Sequence, residues 1–158
     1  MGEDIFDKGR RMTPQEVTAF LKQHFPQIRP GEDFCVEAIA PMSARVRLVY
    51  GERHLRPGGT ISGPAMFSLA DLSTYAAILG EIGVGGDPDA ADRSAGALSV
   101  TTNLSINFLR KPEQRDLIGD AKLMKLGKRL AVGEVWLHSE GDSEPVAHAV
   151  ATYSIPQR

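Results

Sequence analysis

The feature that most constrains this fold is the segment 64–80, which is apolar on nearly every side. Alanine, leucine and methionine dominate it, and these residues favour helix. Ser62 or Gly63 can cap its start, and Pro64 suits the first helical turn. Gly80 lies near the expected end. A helix without a polar face has to be enclosed by other elements, so the sequence predicts a central helix wrapped by the rest of the domain.

Segments on both sides of this helix alternate in polarity and predict strands. Two precede the helix and four follow it, at residues 34–40, 45–50, 97–108, 117–126, 130–139 and 145–155. Short turns at 127–129 and 140–143 favour antiparallel pairing of the last three strands. An antiparallel sheet that curls around one buried helix is an α+β fold.

The segment 97–108 has the most regular alternation in the chain. Its apolar face consists of Leu98, Val100, Leu104, Ile106 and Phe108. Its polar face consists of Ser99, Thr101, Asn103, Ser105 and Asn107. The pattern predicts one long strand with the apolar side chains facing the core and Thr101 facing outward.

The chain of 158 residues is long enough for one domain with a real core, and too short to favour two. Thr13, Pro14 and Glu16 form the pattern of a capped helix start. We therefore divide the chain into an N-terminal segment with a helix, residues 1–30, and a main domain, residues 31–158.

Composition argues against several classes of function. The one cysteine, Cys35, cannot form an internal disulfide, and the four histidines lie far apart, so we expect no metal. A formal net charge of -2 disfavours nucleic-acid binding. Residues 1–12 lack the apolar stretch of a signal or membrane anchor, so we expect a soluble, cytoplasmic protein with no membrane partner. Residues 83–94, rich in glycine and aspartate, predict a mobile surface loop.

Asp71 is the exceptional residue of the central helix, because its neighbours on both sides are mostly apolar. Burial of an unpaired carboxylate costs roughly several kcal/mol, so this residue needs a partner or a purpose. It could hydrogen-bond nearby hydroxyls or a neighbouring strand in a purely structural role. It could equally act as a nucleophile or a general base. The residues by themselves leave both interpretations open.

The N-terminus of the same helix could bind an oxyanion or a carbonyl oxygen. The N–H of Gly63 and the helix dipole would point at such a group, although Pro64 offers no donor. An ordinary helix cap is the simpler interpretation. Asp71 lies about 13 Å along the axis from Ser62, so both ends cannot act on one carbonyl within a subunit. If both act, a symmetric dimer has to bring them together.

Several groups of residues resemble a known family. The segment 56–64, Arg-Pro-Gly-Gly-Thr-Ile-Ser-Gly-Pro, is followed by Leu-Ala-Asp at 69–71, and the segments 106–110, 127–129 and 151–153 extend the likeness. This pattern resembles the hot-dog-fold thioesterases of the phenylacetate-degradation (PaaI-like) type, over residues 34–156. The resemblance implies a hot-dog fold, with an antiparallel sheet around a long central helix. It also implies self-association, as a homodimer or a dimer of dimers.

The resemblance further implies a reaction and a site. The N–H of Gly63 of one subunit would polarise the thioester carbonyl of an acyl-CoA, while Asp71 of the other attacks it or activates water. Thr101 matches a position where relatives carry a serine or threonine that helps to hold the water. The products would be a carboxylic acid and free CoA. No cofactor is implied, because CoA is part of the substrate.

The family pattern also points to residues that would contact the substrate. Ser62 stands where relatives usually have histidine, Pro64 replaces a second glycine, and Arg56 stands where asparagine is common. Basic residues at strand ends could bind the CoA phosphates, and these are Arg110, Lys111, Lys125, Lys128 and Arg129. Solvated surface charge is the alternative for each of them.

Three functions therefore remain in competition. Asp71 and Gly63 favour an acyl-CoA thioesterase. The departures at Arg56, Ser62 and Pro64 are the argument for an acyl-CoA-binding protein without turnover. A dimeric scaffold, in which Asp71 only pairs across an interface, is the third hypothesis.

Overall fold

The computed structural model describes residues 11–83 and 94–156. Its helices are α1 (Pro14–His24), α2 (Gly63–Ile82) and the single turn α3 (Ser94–Ala97). Its strands are β1 (Phe34–Ala40), β2 (Ser43–Leu48), β3 (Val100–Phe108), β4 (Leu117–Leu126), β5 (Leu130–Ser139) and β6 (Pro145–Ser154). The surface loop predicted at 83–94 falls almost wholly outside the described residues.

The described strands form one six-stranded sheet in the order β1-β2-β4-β5-β6-β3. Every neighbouring pair is antiparallel, and β1 and β3 are the edges. The predicted α+β class and antiparallel sheet are therefore confirmed. Two strand starts were predicted wrongly: the second strand begins at Ser43, and the third begins at Val100 after the turn α3.

Helix α2 packs against the sheet as the centre of the core. Leu69, Ile78 and Leu79 are fully buried, and each such side chain stabilises the fold by about 1.5–3 kcal/mol. The helix approaches the sheet very closely at Gly119, where an added Cβ would lie 2.5 Å from Ser73 Oγ. The central helix that the apolar segment predicts is thus present and largely buried, although Phe67 near its start is 41% exposed.

Helix α1 begins at the predicted capping box. Thr13 Oγ1 accepts from the N–H of Glu16, and the Glu16 carboxylate accepts from the N–H of Thr13. Val17 and Leu21 are buried in the same core as α2. The N-terminal segment therefore packs onto the main domain.

A β-bulge near the start of β3 changes which side chains face α2. The pairing of β3 with β6 shifts between Thr101 and Asn103, so one extra residue interrupts the alternation. Thr101 pairs with Tyr153, and Leu104 pairs with Ala151. Since Tyr153 and Ala151 lie two residues apart on one strand, Thr101 and Leu104 share a face.

The bulge overturns part of the face predicted for this strand. Leu98 and Val100, predicted to face the core, are 60% and 57% exposed. Thr101, which strict alternation places outside, turns towards α2 instead. One extra residue reverses the parity of every position that precedes it.

Candidate functional site

Asp71 lies midway along α2 and is held by residues from two strands. Its Oδ1 accepts a hydrogen bond from Thr101 Oγ1 at 2.6 Å and another from the Tyr153 hydroxyl at 2.6 Å. The carboxylate is half-buried rather than enclosed. The bulge on β3 and the inward face of β6 thus supply the partners that a carboxylate on an apolar helix needs.

Tyr153 is the member of this cluster to which the sequence analysis gave no role. Its side chain is 3% exposed, and its hydroxyl also lies 3.0 Å from the backbone carbonyl oxygen of Asp71. Burial, and then the negative charge of Asp71, raise the pKa of Tyr153 far above its ordinary value. Tyr153 is therefore a neutral donor. The alternation of β6, which ends its inward face of alanines with a tyrosine, was the available signal.

A pocket of about 640 Å³ opens beside this cluster. Its walls are mainly apolar and aromatic, and α1, α2 and the start of β3 all contribute. The lining residues are Phe20, His24, Phe25, Ile28, Ser68, Asp71, Leu72, Tyr75, Ala97, Leu98, Ser99, Val100, Thr101 and Tyr153. The Tyr75 hydroxyl donates to the carbonyl oxygen of Ala97 at 2.7 Å, and burial raises the pKa of Tyr75 to about 12. A carboxylate thus stands in the wall of an apolar cavity.

The N-terminus of α2 has most of its backbone donors in use. Ser62 Oγ accepts from the N–H of Ala65 at 3.2 Å, and the carbonyl oxygen of Ser62 accepts from the N–H of Met66 at 3.1 Å. Pro64 has no N–H. Among the described residues no hydrogen bond is recorded from the N–H of Gly63. Gly63 is therefore the donor of this turn that is free to bind a ligand.

A second pocket, of about 550 Å³, lies at this end of the helix. Gly63, Arg56, Phe108 and Arg110 line it together. A Cβ added to Gly63 would lie 3.5 Å from Phe108 Cζ, so the phenyl ring packs beside this backbone. Ser62 caps the helix and Pro64 occupies its first turn, so both flank this donor.

The predicted basic residues do not form one cluster within a subunit. Arg110 lies by Gly63 and forms ion pairs with Asp142 and Glu144, at 3.2 and 3.4 Å. Lys128 and Arg129 lie in the turn between β4 and β5. That turn is at the other end of β3, because Leu130 and Val100 both pair with Ser154.

The candidate site therefore has two halves, joined by the edge strand β3. The half with Asp71 contains Thr101, near the start of the strand, and the half with Gly63 contains Phe108, at its end. Asp71 and Gly63 are eight residues apart on one helix, or about 12 Å at the usual rise. Within one subunit, Asp71 and Gly63 are therefore too far apart to act on the same bond of a substrate.

Comparison with known proteins agrees with this architecture. The model of the thioesterase superfamily matches residues 58–146, which is more than half of the chain. A crystal structure of a candidate thioesterase from Silicibacter sp. TM1040 is 46% identical, over 92% of each chain, with a TM-score of 0.77. The chain belongs to the thioesterase superfamily and has its hot-dog fold.

More distant solved structures share the fold. Zebrafish thioesterase superfamily member 2 is 20% identical, over 92% of this chain and 99% of that one, with a TM-score of 0.73. A mutant form of the phenylacetic acid degradation protein PaaI from Thermus thermophilus is 21% identical, over 87% of this chain and 99% of that one, with a TM-score of 0.62. No curated protein matched the chain.

None of the helices in the described residues is long and apolar enough to cross a membrane. Within the same part of the chain, no group of three or more His, Cys, Asp or Glu side chains is placed to hold a metal ion.

Proposed function

We propose that this protein is an acyl-CoA thioesterase, which hydrolyses a CoA thioester to a carboxylic acid and free CoA. The observation that carries the proposal is the Asp71 carboxylate, held by two hydroxyls in the wall of an apolar pocket. A fixed carboxylate beside a cavity for an apolar group suits the hydrolysis of an acyl thioester, because the carboxylate can act as a base or a nucleophile. Membership of the thioesterase superfamily supports the reaction class.

The acyl group would lie in the pocket beside Asp71. Its volume of about 640 Å³ is in the usual range for small-molecule sites, about 300–1,000 Å³. Phe20, Phe25 and Tyr75 give it aromatic walls, and no lysine or arginine lines it among the described residues. We therefore expect apolar acyl groups, aromatic or of medium length, rather than short or charged ones.

The carbonyl would be polarised by the N–H of Gly63 of the partner subunit. Strand β3 is an edge whose outward backbone groups are available for pairing. Val100 and Phe108 at its ends, and Leu109 just after it, are more than half exposed. Antiparallel pairing of two β3 strands about a two-fold axis would set the start of one against the end of the other. Asp71 of one subunit would then lie beside Gly63 of the partner subunit.

Two chemical routes fit this arrangement. Asp71 could add to the carbonyl carbon, which breaks the carbon–sulfur bond, releases CoA thiolate and leaves an anhydride for water to hydrolyse. It could instead take a proton from water as the hydroxide adds to the carbonyl carbon, with the same bond breaking. In both routes one water is consumed, its oxygen ends in the carboxylic acid, and one of its protons ends on the CoA sulfur. Thr101 would hold the carboxylate, or the water beside it, in place.

The CoA part of the substrate would lie along the basic groups at the two ends of β3. Arg56 and Arg110 line the pocket of Gly63, while Lys128 and Arg129 lie at the Asp71 end. The proposed dimer would place the Gly63 end of each β3 strand beside the Asp71 end of the β3 strand in the partner subunit. Phosphates could then meet basic groups from both subunits. We propose no separate cofactor and a cytoplasmic location.

Binding of acyl-CoA without turnover is the alternative. The observation in its favour is that Ser62 Oγ is used by the N–H of Ala65, while Pro64 removes another donor. Only the N–H of Gly63 then remains in that turn, among the described residues, to polarise a carbonyl. Tight CoA binding without thiol release would select this alternative.

The test of the proposed function is free thiol release from short, medium, long and aromatic acyl-CoAs, with Asp71→Asn beside the wild type. We expect turnover by the wild type and a loss of at least about a hundredfold in the variant, because its amide is neither a base nor a nucleophile. Asp120→Asn is the matched control, since Asp120 pairs with Arg45 and His138 away from the site. Equal turnover in Asp71→Asn and wild type would contradict the assignment.

A further inference from the structure

The geometry points to Tyr153 as a positioning residue that, with Thr101, occupies Oδ1 of Asp71 and reserves Oδ2 as the one reactive oxygen. The inference rests on the proposed function and goes beyond it. It assigns a role to a buried side chain outside the predicted site, and it says which atom of the carboxylate reacts.

Both side-chain hydrogen bonds that hold the Asp71 carboxylate reach the same oxygen atom. A carboxylate offers about four lone-pair positions, two on each oxygen. The two hydroxyl donors, each at 2.6 Å, both bind Oδ1. Among the described residues no hydrogen bond to Oδ2 is recorded. Oδ1 is therefore filled, and Oδ2 is left to meet a water or a carbonyl carbon.

The two donors reach the same atom because of the strand register. Thr101 and Tyr153 pair directly across β3 and β6, on the face towards α2. The bulge that follows Thr101 is what turns its hydroxyl inward. A carboxylate with two bonds on one oxygen cannot rotate about its χ2 angle without losing both. Its free oxygen is thereby aimed in one direction.

Tyr153 is suited to holding the carboxylate and unsuited to moving protons. It is almost fully buried, and burial beside the Asp71 charge keeps its hydroxyl protonated. Removing its hydroxyl should leave substrate binding intact and disturb only the aim of Oδ2. A purely structural hydroxyl would instead affect unfolding and leave turnover per folded molecule unchanged.

The first test compares kcat and KM of Tyr153→Phe and Tyr50→Phe with the wild type. Tyr50 is the control, because its half-buried hydroxyl donates to the carbonyl oxygen of Gly59. We expect kcat of Tyr153→Phe to fall by about tenfold to a hundredfold with KM within about twofold, from the loss of one bond to a charged group. Tyr50→Phe should keep the wild-type kcat. In an Asp71→Asn background Tyr153→Phe should cause no further loss.

A second pair of variants keeps the inference testable if Tyr153→Phe does not fold. Thr101→Val removes the other donor, and Thr101→Ser retains a hydroxyl. Thr74→Val is the matched control, because its hydroxyl donates to the carbonyl oxygen of Ala70 on the same helix. We expect Thr101→Val to lose about tenfold in kcat, Thr101→Ser to recover most of it, and Thr74→Val to keep the wild-type value. Wild-type kcat in both Tyr153→Phe and Thr101→Val would overturn the inference.

A measurement without substrate separates this inference from the proposed function. The Tyr153 hydroxyl proton, held against Oδ1, should give a downfield proton NMR signal that is absent in Tyr153→Phe and displaced in Asp71→Asn. If the wild type releases no thiol but this signal behaves as described, the thioesterase function fails while the hydrogen-bonded arrangement stands. A signal that is unchanged in Asp71→Asn would contradict the arrangement itself.

Discussion

At the scale of single residues, Asp71 and Gly63 differ in how neighbouring groups make them available to a ligand. Asp71 is placed by donors that come from β3 and β6, far away in sequence. The N–H of Gly63 has no hydrogen-bond partner among the described residues. Of its neighbours in the first helical turn, Pro64 has no N–H, and the N–H of Ala65 is bound by Ser62. Hydrogen bonds from other strands thus fix the Asp71 carboxylate. The Gly63 N–H is available because it is the backbone donor of its turn that remains unused among the described residues.

The role of the Gly63 N–H can be separated from the role of its small size. Gly63→Pro removes the N–H, and proline is tolerated at the first position of a helix. Gly63→Ala retains the N–H and adds a Cβ that meets the Phe108 ring at an ordinary 3.5 Å. We expect kcat for thiol release to be about a hundredfold lower in the proline variant than in the alanine variant. Equal kcat in the two variants would remove Gly63 from the mechanism.

At the scale of elements, the sequence predicted the central helix well and the face of one strand poorly. The apolar segment has a single solution, because a helix without a polar face must be enclosed. The alternation of β3 looks equally regular, yet it conceals an extra residue that hydrogen-bonding register alone reveals. For the same reason strict alternation places Thr101 on the wrong face. The alternation of β6 does place Tyr153 inward, but only the folded structure brings its hydroxyl to Asp71.

Helix α1 should influence which acyl groups are hydrolysed. Phe25, just after this helix, lines the pocket and is 37% exposed, so its removal should not unfold the protein. We expect Phe25→Ala to enlarge the pocket and to raise kcat/KM for long acyl chains relative to short ones by about tenfold. Gln23→Ala, an exposed residue of the same helix outside the pocket lining, should leave this ratio unchanged. Measuring kcat/KM of both variants over the panel of acyl-CoAs tests this prediction.

At the scale of the whole molecule, the account depends on a second subunit. The two halves of the site are at opposite ends of one edge strand, and one helix separates Asp71 from Gly63 by about 12 Å. The sequence predicted this separation from the helical rise. The sequence could not show where a second subunit would pair. The exposed apolar residues of β3 become apparent only once the structure places that strand at the edge of the sheet.

The most direct test of a shared thioesterase site is complementation between two inactive variants. Subunits of Gly63→Pro and Asp71→Asn are mixed in equal amounts under conditions that exchange subunits, and thiol release is measured. A mixed dimer would contain one site with both Gly63 and Asp71 intact. The account predicts recovery to about a quarter of wild-type turnover, since half of the dimers are mixed and each has one intact site of two. Turnover no higher than the mean of the two parent variants, with mixed dimers demonstrated, would contradict it.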